Sequence, residues 1–208
     1  MKYYTFLHFI EKVIGVINIT SYYIIMELKP LKGVSELYEH FVDFFWGIGY
    51  FGWQISTVYA MYVSLVFSWV YFVTFIIVFV LSGWVNHAVL KDYINDPRPL
   101  DSAPFLSSEH FKKRVNGMPS GHAQQTAFSL TFSYLLTGRR FYESWILFLI
   151  TILQRYIFKN HTIPQLLVGS VLGFAIAHLT VYLLTKWKNH SKNAQKNNDK
   201  KKISFSQN

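Results

Sequence analysis

The chain has no cysteine, which excludes disulfide bonds and thiolate metal sites. Charge is also scarce: Asp, Glu, Lys and Arg make up 15% of the 208 residues, against roughly a quarter in soluble domains. Their distribution is more telling than their number. Between Asp43 and Lys91 there is no Asp, Glu, Lys or Arg, and His87 is the only histidine. One bilayer crossing needs about 20 apolar residues, so a run of this length reads as two crossings and excludes a water-soluble domain. The net charge of +9 points away from nucleic acid because of where it lies. Seven lysines fall between Lys186 and Lys202, after the last apolar run, in a polar segment that reads as a solvated, disordered tail.

These features predict an all-α fold: a polytopic integral membrane bundle of about five or six transmembrane helices with a long extracytoplasmic loop. Residues 1–44 form an N-terminal membrane-associated or first-span segment, in which the apolar stretch 3–26 is interrupted by Glu11 and Lys12. It lacks the small-residue cleavage site of a signal peptide. Spans are expected over about 46–67, 69–90, 120–137, 141–158 and 163–185, with the membrane domain covering 45–185 and the basic tail 186–208. In the last span Gly169, Gly173 and Ala177 recur every fourth residue, a stripe that lets helices approach closely. Basic flanks favour the cytoplasmic side. The Arg139–Arg140 pair and the lysine tail, two spans apart, therefore agree in orientation. The loop over 91–119 and the polar interruption "QRYIFKNHTIPQ" (154–165) then share the opposite face.

Three blocks meet on that face: Lys91 with Arg98-Pro99, then Pro119-Ser120-Gly121-His122, then Arg155 with His161. Singly, each has an ordinary explanation. Lys91 can snorkel, Pro119 and Ser120 can start a helix, and Arg155 can anchor a span. Together they make a set suited to a phosphate oxyanion. Lys and Arg bring charge and forked donors, and Ser120 with the N–H groups of Gly121 and His122 at a helix start makes an anion site. Two histidines supply a nucleophile and a proton donor. His8, His40, His87 and His178 are scattered, so neither metal nor cofactor is expected; His87, one turn before Lys91, reads as a packing residue.

In order and spacing these blocks resemble the type 2 phosphatidic acid phosphatases, membrane lipid phosphatases whose motifs read Lys-x6-Arg-Pro, Pro-Ser-Gly-His and Ser-Arg-x5-His-x3-Asp. The third block departs from that pattern at Gln154 and Gln165. "GMPSGHAQ" and "RYIFKNHTIPQ" look most like the dolichyl-diphosphate phosphatase branch, where His-Thr-x-x-Gln occurs. The resemblance implies that His161 attacks phosphorus and that His122 protonates the leaving oxygen. It also implies that Lys91, Arg98, Ser120, Gly121 and Arg155 hold phosphate, and that Gln165 orients His161. The implied reaction is metal-independent hydrolysis of a lipid phosphate or diphosphate, dolichyl or polyprenyl diphosphate first, through a phosphohistidine. Phosphatidate or another lipid monophosphate is the alternative, as is a catalytically weak lipid-binding relative in which Gln165 cannot replace the acid. The expected partners are the bilayer and an isoprenoid substrate. The resemblance implies the endoplasmic reticulum membrane with a lumenal site, the plasma membrane being the alternative. Oligomeric state is not legible.

Overall fold

A computed structural model describes residues 34–100, 116–138 and 142–206. The stretch 3–26, Arg139 and Arg140, and the loop carboxylates Asp101 and Glu109 lie outside the described residues. The chain divides into two compact units, Met1–Asp43 and Phe44–Asn208. Helix α1 (Val34–Tyr50) holds the described residues of the first and the opening residues of the second. All regular structure among the described residues is helical, apart from one isolated bridge between Pro97 and Asn116.

Helix α2 (Gly52–Phe67) follows a break at Phe51, so the span expected over 46–67 is two helices. Ser68 alone joins α2 to α3 (Trp69–Val85). Its backbone is extended; its N–H closes α2 on the Ser64 carbonyl at 3.0 Å, and its hydroxyl accepts the Val70 N–H at 3.4 Å. Helix α3 continues through a π-helical turn, Asn86–Leu90, into a last α-turn, Lys91–Ile94. Asn95 ends it in the left-handed region (φ 49°), which Asn tolerates better than most residues. Helix α4 (Gly121–Thr137) is capped by Ser120 and closed by left-handed Gly138, and α5 (Tyr142–Ile157) leads into α6 (Ile163–Ser206).

Helix α4 occupies the centre of the second unit, in contact with α2, α3, α5 and α6. It is buried all round from Ala123 to Ser133, and that stretch includes Gln124, Gln125, Thr126, Ser129, Thr131 and Ser133. Meanwhile Trp69, Ile77, Val80, Leu81 and Trp84 of α3 and Leu167, Val171 and Leu179 of α6 face outward. A soluble domain buries its large apolar residues and seldom exposes extended apolar patches. This distribution is the reverse, as expected where the surrounding solvent is hydrocarbon. The innermost packing is aromatic: Phe75 stacks on Phe128 at 5.4 Å, with Phe132, Ala60 and Ala177 completing the cluster.

The small-residue stripe of α6 seats directly on α4. A Cβ at Gly169 would strike the Ser120 carbonyl, and one at Gly173 would strike the Gln124 carbonyl and Ala127. Among the described residues, two helices are long and apolar enough to cross a membrane, Trp69–Ile94 and Ile163–Gln195; Ser144–Ile157 is apolar but shorter. The central helix, 17 residues long and rich in Gln, Ser and Thr, is shorter and more polar, and its polar residues are buried against protein. Helix α6 continues through the basic segment to Ser206. Elongating an existing helix needs no new nucleus, and Lys, Gln and Ala are good helix formers.

Candidate active site

Lys91 sits just after the π-helical turn, and it does not snorkel: it is 1% exposed. Beyond Asn95 the chain runs extended, and the Asp96 carbonyl accepts the Gly117 N–H at 2.8 Å. With the Pro97–Asn116 bridge, this pins the two ends of the long loop together. The Lys91–Arg98 block and the Pro-Ser-Gly-His block are thereby brought side by side.

The second block is held from the other direction. The Ser120 N–H donates to the Gln165 carbonyl at 3.0 Å, and the Ser120 hydroxyl oxygen accepts the Ala123 N–H at 3.5 Å as the N-cap of α4. That leaves the Ser120 O–H as a donor. The absence of a Cβ at Gly121 lets His87 approach; its Nε2 lies 3.1 Å from where that Cβ would be. His87 is exposed beside this turn rather than packed in a core.

The third block owes its spacing to the way α5 ends. The Asn160 N–H donates to the Arg155 carbonyl at 3.0 Å and the Lys159 N–H to the Tyr156 carbonyl at 2.9 Å, while Lys159 is left-handed (φ 50°). This is a Schellman cap, with Lys where Gly is usual. The His161 N–H adds a bond to the same Arg155 carbonyl at 3.2 Å. The Arg-x5-His spacing is therefore a helix terminus whose reversing chain returns His161 to Arg155.

Helix α6 opens with a capping box, Thr162-Ile163-Pro164-Gln165. The Gln165 N–H donates to the Thr162 hydroxyl at 3.4 Å, and Gln165 Oε1 accepts the Thr162 N–H at 3.2 Å. The same Oε1 lies 3.2 Å from His161 Nδ1. On the other side of the amide, Nε2 donates to Asp96 Oδ2 at 2.8 Å and to the Pro97 carbonyl at 2.9 Å. Gly117 lies against this amide, and a Cβ there would overlap Gln165. His161 and Gln165 are 2% and 0% exposed.

Electrostatics tie the blocks together. Burial lowers His161 well below the ordinary histidine value, and Arg98, Arg155 and Lys91 lower it further; the Gln165 hydrogen bond opposes them in part. Burial also lowers the Arg98 guanidinium from its ordinary value. His122 lies within electrostatic reach of the same three cations and of His161. Nε of Arg98 and Nε of Arg155 are both buried without a hydrogen-bond partner. Buried donors are rarely left so, and like charges gathered out of water are costly. An anion between them would relieve both penalties.

Two aromatic residues of the site carried no signal in the sequence, because 19% of the chain is aromatic. The Arg155 guanidinium lies over the Tyr50 ring at 5.4 Å, and the His122 ring is 6.0 Å from Tyr50 and 5.9 Å from Trp53. Asp96 was legible only as one of several loop carboxylates. The capping box, in contrast, stood in the sequence as Thr-x-x-Gln. A cavity of about 240 Å³, lined by Trp53, Phe79, Trp84, His87 and Gln125 among others, opens beside His122. No cluster of three metal-ligating side chains occurs among the described residues.

Residues 67–189 match the model of the PAP2 superfamily. The match covers more than half of the chain and spans all three blocks, so this protein belongs to the PAP2 superfamily. Membership suggests phosphatase activity on lipid phosphates and, with the two apolar helices, association with a membrane. No curated protein and no solved structure matches the chain.

Proposed function

We propose that this protein hydrolyses a lipid phosphate or diphosphate through a phosphohistidine. The observation that carries the reading is the convergence of Lys91, Arg98 and Arg155 on two histidines, with two buried guanidinium Nε atoms unpartnered. Lys91, Arg98, Arg155, the Ser120 hydroxyl and the Gly121 N–H hold the non-bridging oxygens and offset charge as it spreads over them. His161 attacks phosphorus from Nε2, the nitrogen away from Gln165, as the bond to the leaving oxygen breaks. His122 gives that oxygen a proton, then takes one from water as the water attacks the phosphohistidine. Inorganic phosphate leaves and both histidines return to their starting forms. A positioned acid–base of this kind contributes roughly 10²–10⁴-fold.

The favoured substrate is dolichyl or polyprenyl diphosphate, converted to the monophosphate at the lumenal or outer face of a membrane, that of the endoplasmic reticulum first. Its support is the His161-Thr162-x-x-Gln165 pattern. Gln165 fills four hydrogen-bonding roles, which argues against a lesion where the wider family has Asp. Five or six spans with an extracytoplasmic loop remain the topology that fits the charge pattern.

Detergent-purified protein with a chelator present should release phosphate from isoprenoid diphosphate faster than from phosphatidate or a sphingoid-base phosphate. His161→Ala should abolish release and any acid-labile phosphoprotein. Faster turnover of the diacyl substrate would reassign the lipid, and full activity in His161→Ala would remove the nucleophile.

A further inference from the structure

We propose that Asp96 is a positioning residue of this site, acting on His161 through the Gln165 side chain; the inference rests on the phosphatase reading above for its consequence in catalysis. A primary amide has two N–H donors on nitrogen and an oxygen with two lone pairs. In Gln165 all four are used in a single sense. Nitrogen faces two acceptors, Asp96 Oδ2 and the Pro97 carbonyl, while oxygen faces the Thr162 N–H and His161 Nδ1. Turning the amide over would set its oxygen against a carboxylate and a carbonyl, and its nitrogen against an N–H. The orientation is therefore fixed by its surroundings, and Asp96 supplies the one charged contact among them.

Two consequences reach His161. Because Oε1 only accepts, Nδ1 carries the proton and Nε2 keeps its lone pair free, the tautomer needed for attack on phosphorus. The Asp96 carboxylate also polarises the amide, which strengthens the acceptor at its far end. Negative charge is thus delivered to the histidine at one amide's remove. This is how the site accommodates an uncharged residue where the family pattern has an acid.

The contact joins residues on opposite sides of the loop, 69 positions apart. Asp96 also shares its neighbourhood with Pro97, so its backbone holds Gly117 while its side chain holds Gln165. The Lys-x6-Arg-Pro block then has a second task beside phosphate binding, which is to position the nucleophile.

The test compares wild type with Asp96→Ala, Asp96→Asn, Gln165→Glu and the double variant Asp96→Asn/Gln165→Glu. With ¹⁵N-histidine labelling in detergent, His161→Gln assigns the His161 resonances. Wild type should show the Nδ1–H tautomer, Asp96→Ala should lower its share because only the Pro97 carbonyl and the Thr162 N–H then orient the amide, and Asp96→Asn, which keeps an acceptor, should retain it. In turnover, Asp96→Ala should lower kcat by about 10–100-fold, the usual cost of losing a group that orients a functional histidine, with KM little changed. Gln165→Glu sets two carboxylates against each other and should be equally impaired; the double variant should recover much of the loss.

A wild-type tautomer and kcat in Asp96→Ala would overturn the proposal. If that variant does not fold, failure of the double variant to improve on Gln165→Glu overturns it instead. If wild type cleaves no lipid phosphate, the phosphatase reading fails, while the tautomer comparison still decides the role of Asp96.

Discussion

Gln165 Oε1 stands 3.2 Å from His161 Nδ1 and 3.2 Å from the Thr162 N–H, so one atom both caps a helix and faces the ring of the proposed nucleophile. Gln165→Ala should therefore show two separable effects. Loss of the capping box should cost about 0.5–2 kcal/mol of stability, read as a lowered midpoint of thermal unfolding. Loss of orientation should cut kcat by roughly 10–100-fold. The family-like Gln165→Asp, which the motif alone would lead one to tolerate, should be impaired too, because it cannot donate to Asp96 and the Pro97 carbonyl. Equal turnover in wild type and Gln165→Ala would reduce Gln165 to a capping residue.

Arg155→Lys should separate charge from shape. Lys keeps the positive charge but loses the planar fork and the stacking on Tyr50. Inhibition by inorganic phosphate or vanadate should weaken by about tenfold, the equivalent of roughly 1.4 kcal/mol. An unchanged inhibition constant would show that the guanidinium does not grip phosphate.

Lys159 occupies a left-handed position in the cap that brings His161 back to Arg155. A left-handed backbone costs an ordinary residue about 1–2 kcal/mol. Lys159→Gly should leave stability unchanged or raise it by up to about 1 kcal/mol, while Lys159→Val should lower stability by about 1–2 kcal/mol. Denaturant titration in mixed micelles distinguishes them, and the order Val above Gly would refute the cap.

Gly169→Ala places a methyl group against the Ser120 carbonyl, a backbone atom that cannot step aside. Overpacking of this kind costs about 1–3 kcal/mol. Here it should also displace the start of α4, the proposed phosphate-binding turn, so kcat should fall along with thermal stability. Gly138→Ala, in open space but at positive φ, should affect stability without affecting turnover.

His161 gives stability a definite pH dependence. Its folded-state value is held below the ordinary one by burial and by Arg98, Arg155 and Lys91. As pH falls through about 6.5, the unfolded chain takes up a proton that the folded state refuses. Its contribution to stability is present above that pH and is lost below it. Unfolding midpoints from pH 8 down to pH 5 should decline, and His161→Gln should decline less steeply; parallel curves would remove this linkage.

Much of the site was written in local chemistry. The Arg155-x5-His161 spacing is legible along the chain because it is one helix end followed by a cap, all within seven residues. Ser120-Gly121-His122 likewise announces a helix start. The four-residue stripe of Gly169, Gly173 and Ala177 anticipates close packing, since that period places small side chains on one face. The uncharged run between Asp43 and Lys91 suggests association with a membrane for a similar reason: hydrocarbon penalises charge wherever it occurs in the run.

What escaped such reading was non-local. Helix α4 was legible as a helix over about 120–137, but that its Gln, Ser and Thr residues are buried all round becomes clear only once α2, α3, α5 and α6 enclose it. Tyr50 and Trp53 resemble every other aromatic residue until α1 and α2 set them beside His122 and Arg155. Asp96 is one acid among several until the loop ends are pinned by the Gly117–Asp96 and Pro97–Asn116 contacts. Residue type, spacing and capping follow from interactions over a few residues, and these the amino-acid order carries openly. The amide's orientation, the partner of Gln165 and the gathering of three cations depend on contacts between distant segments, whose cost and geometry exist only when the helices have packed.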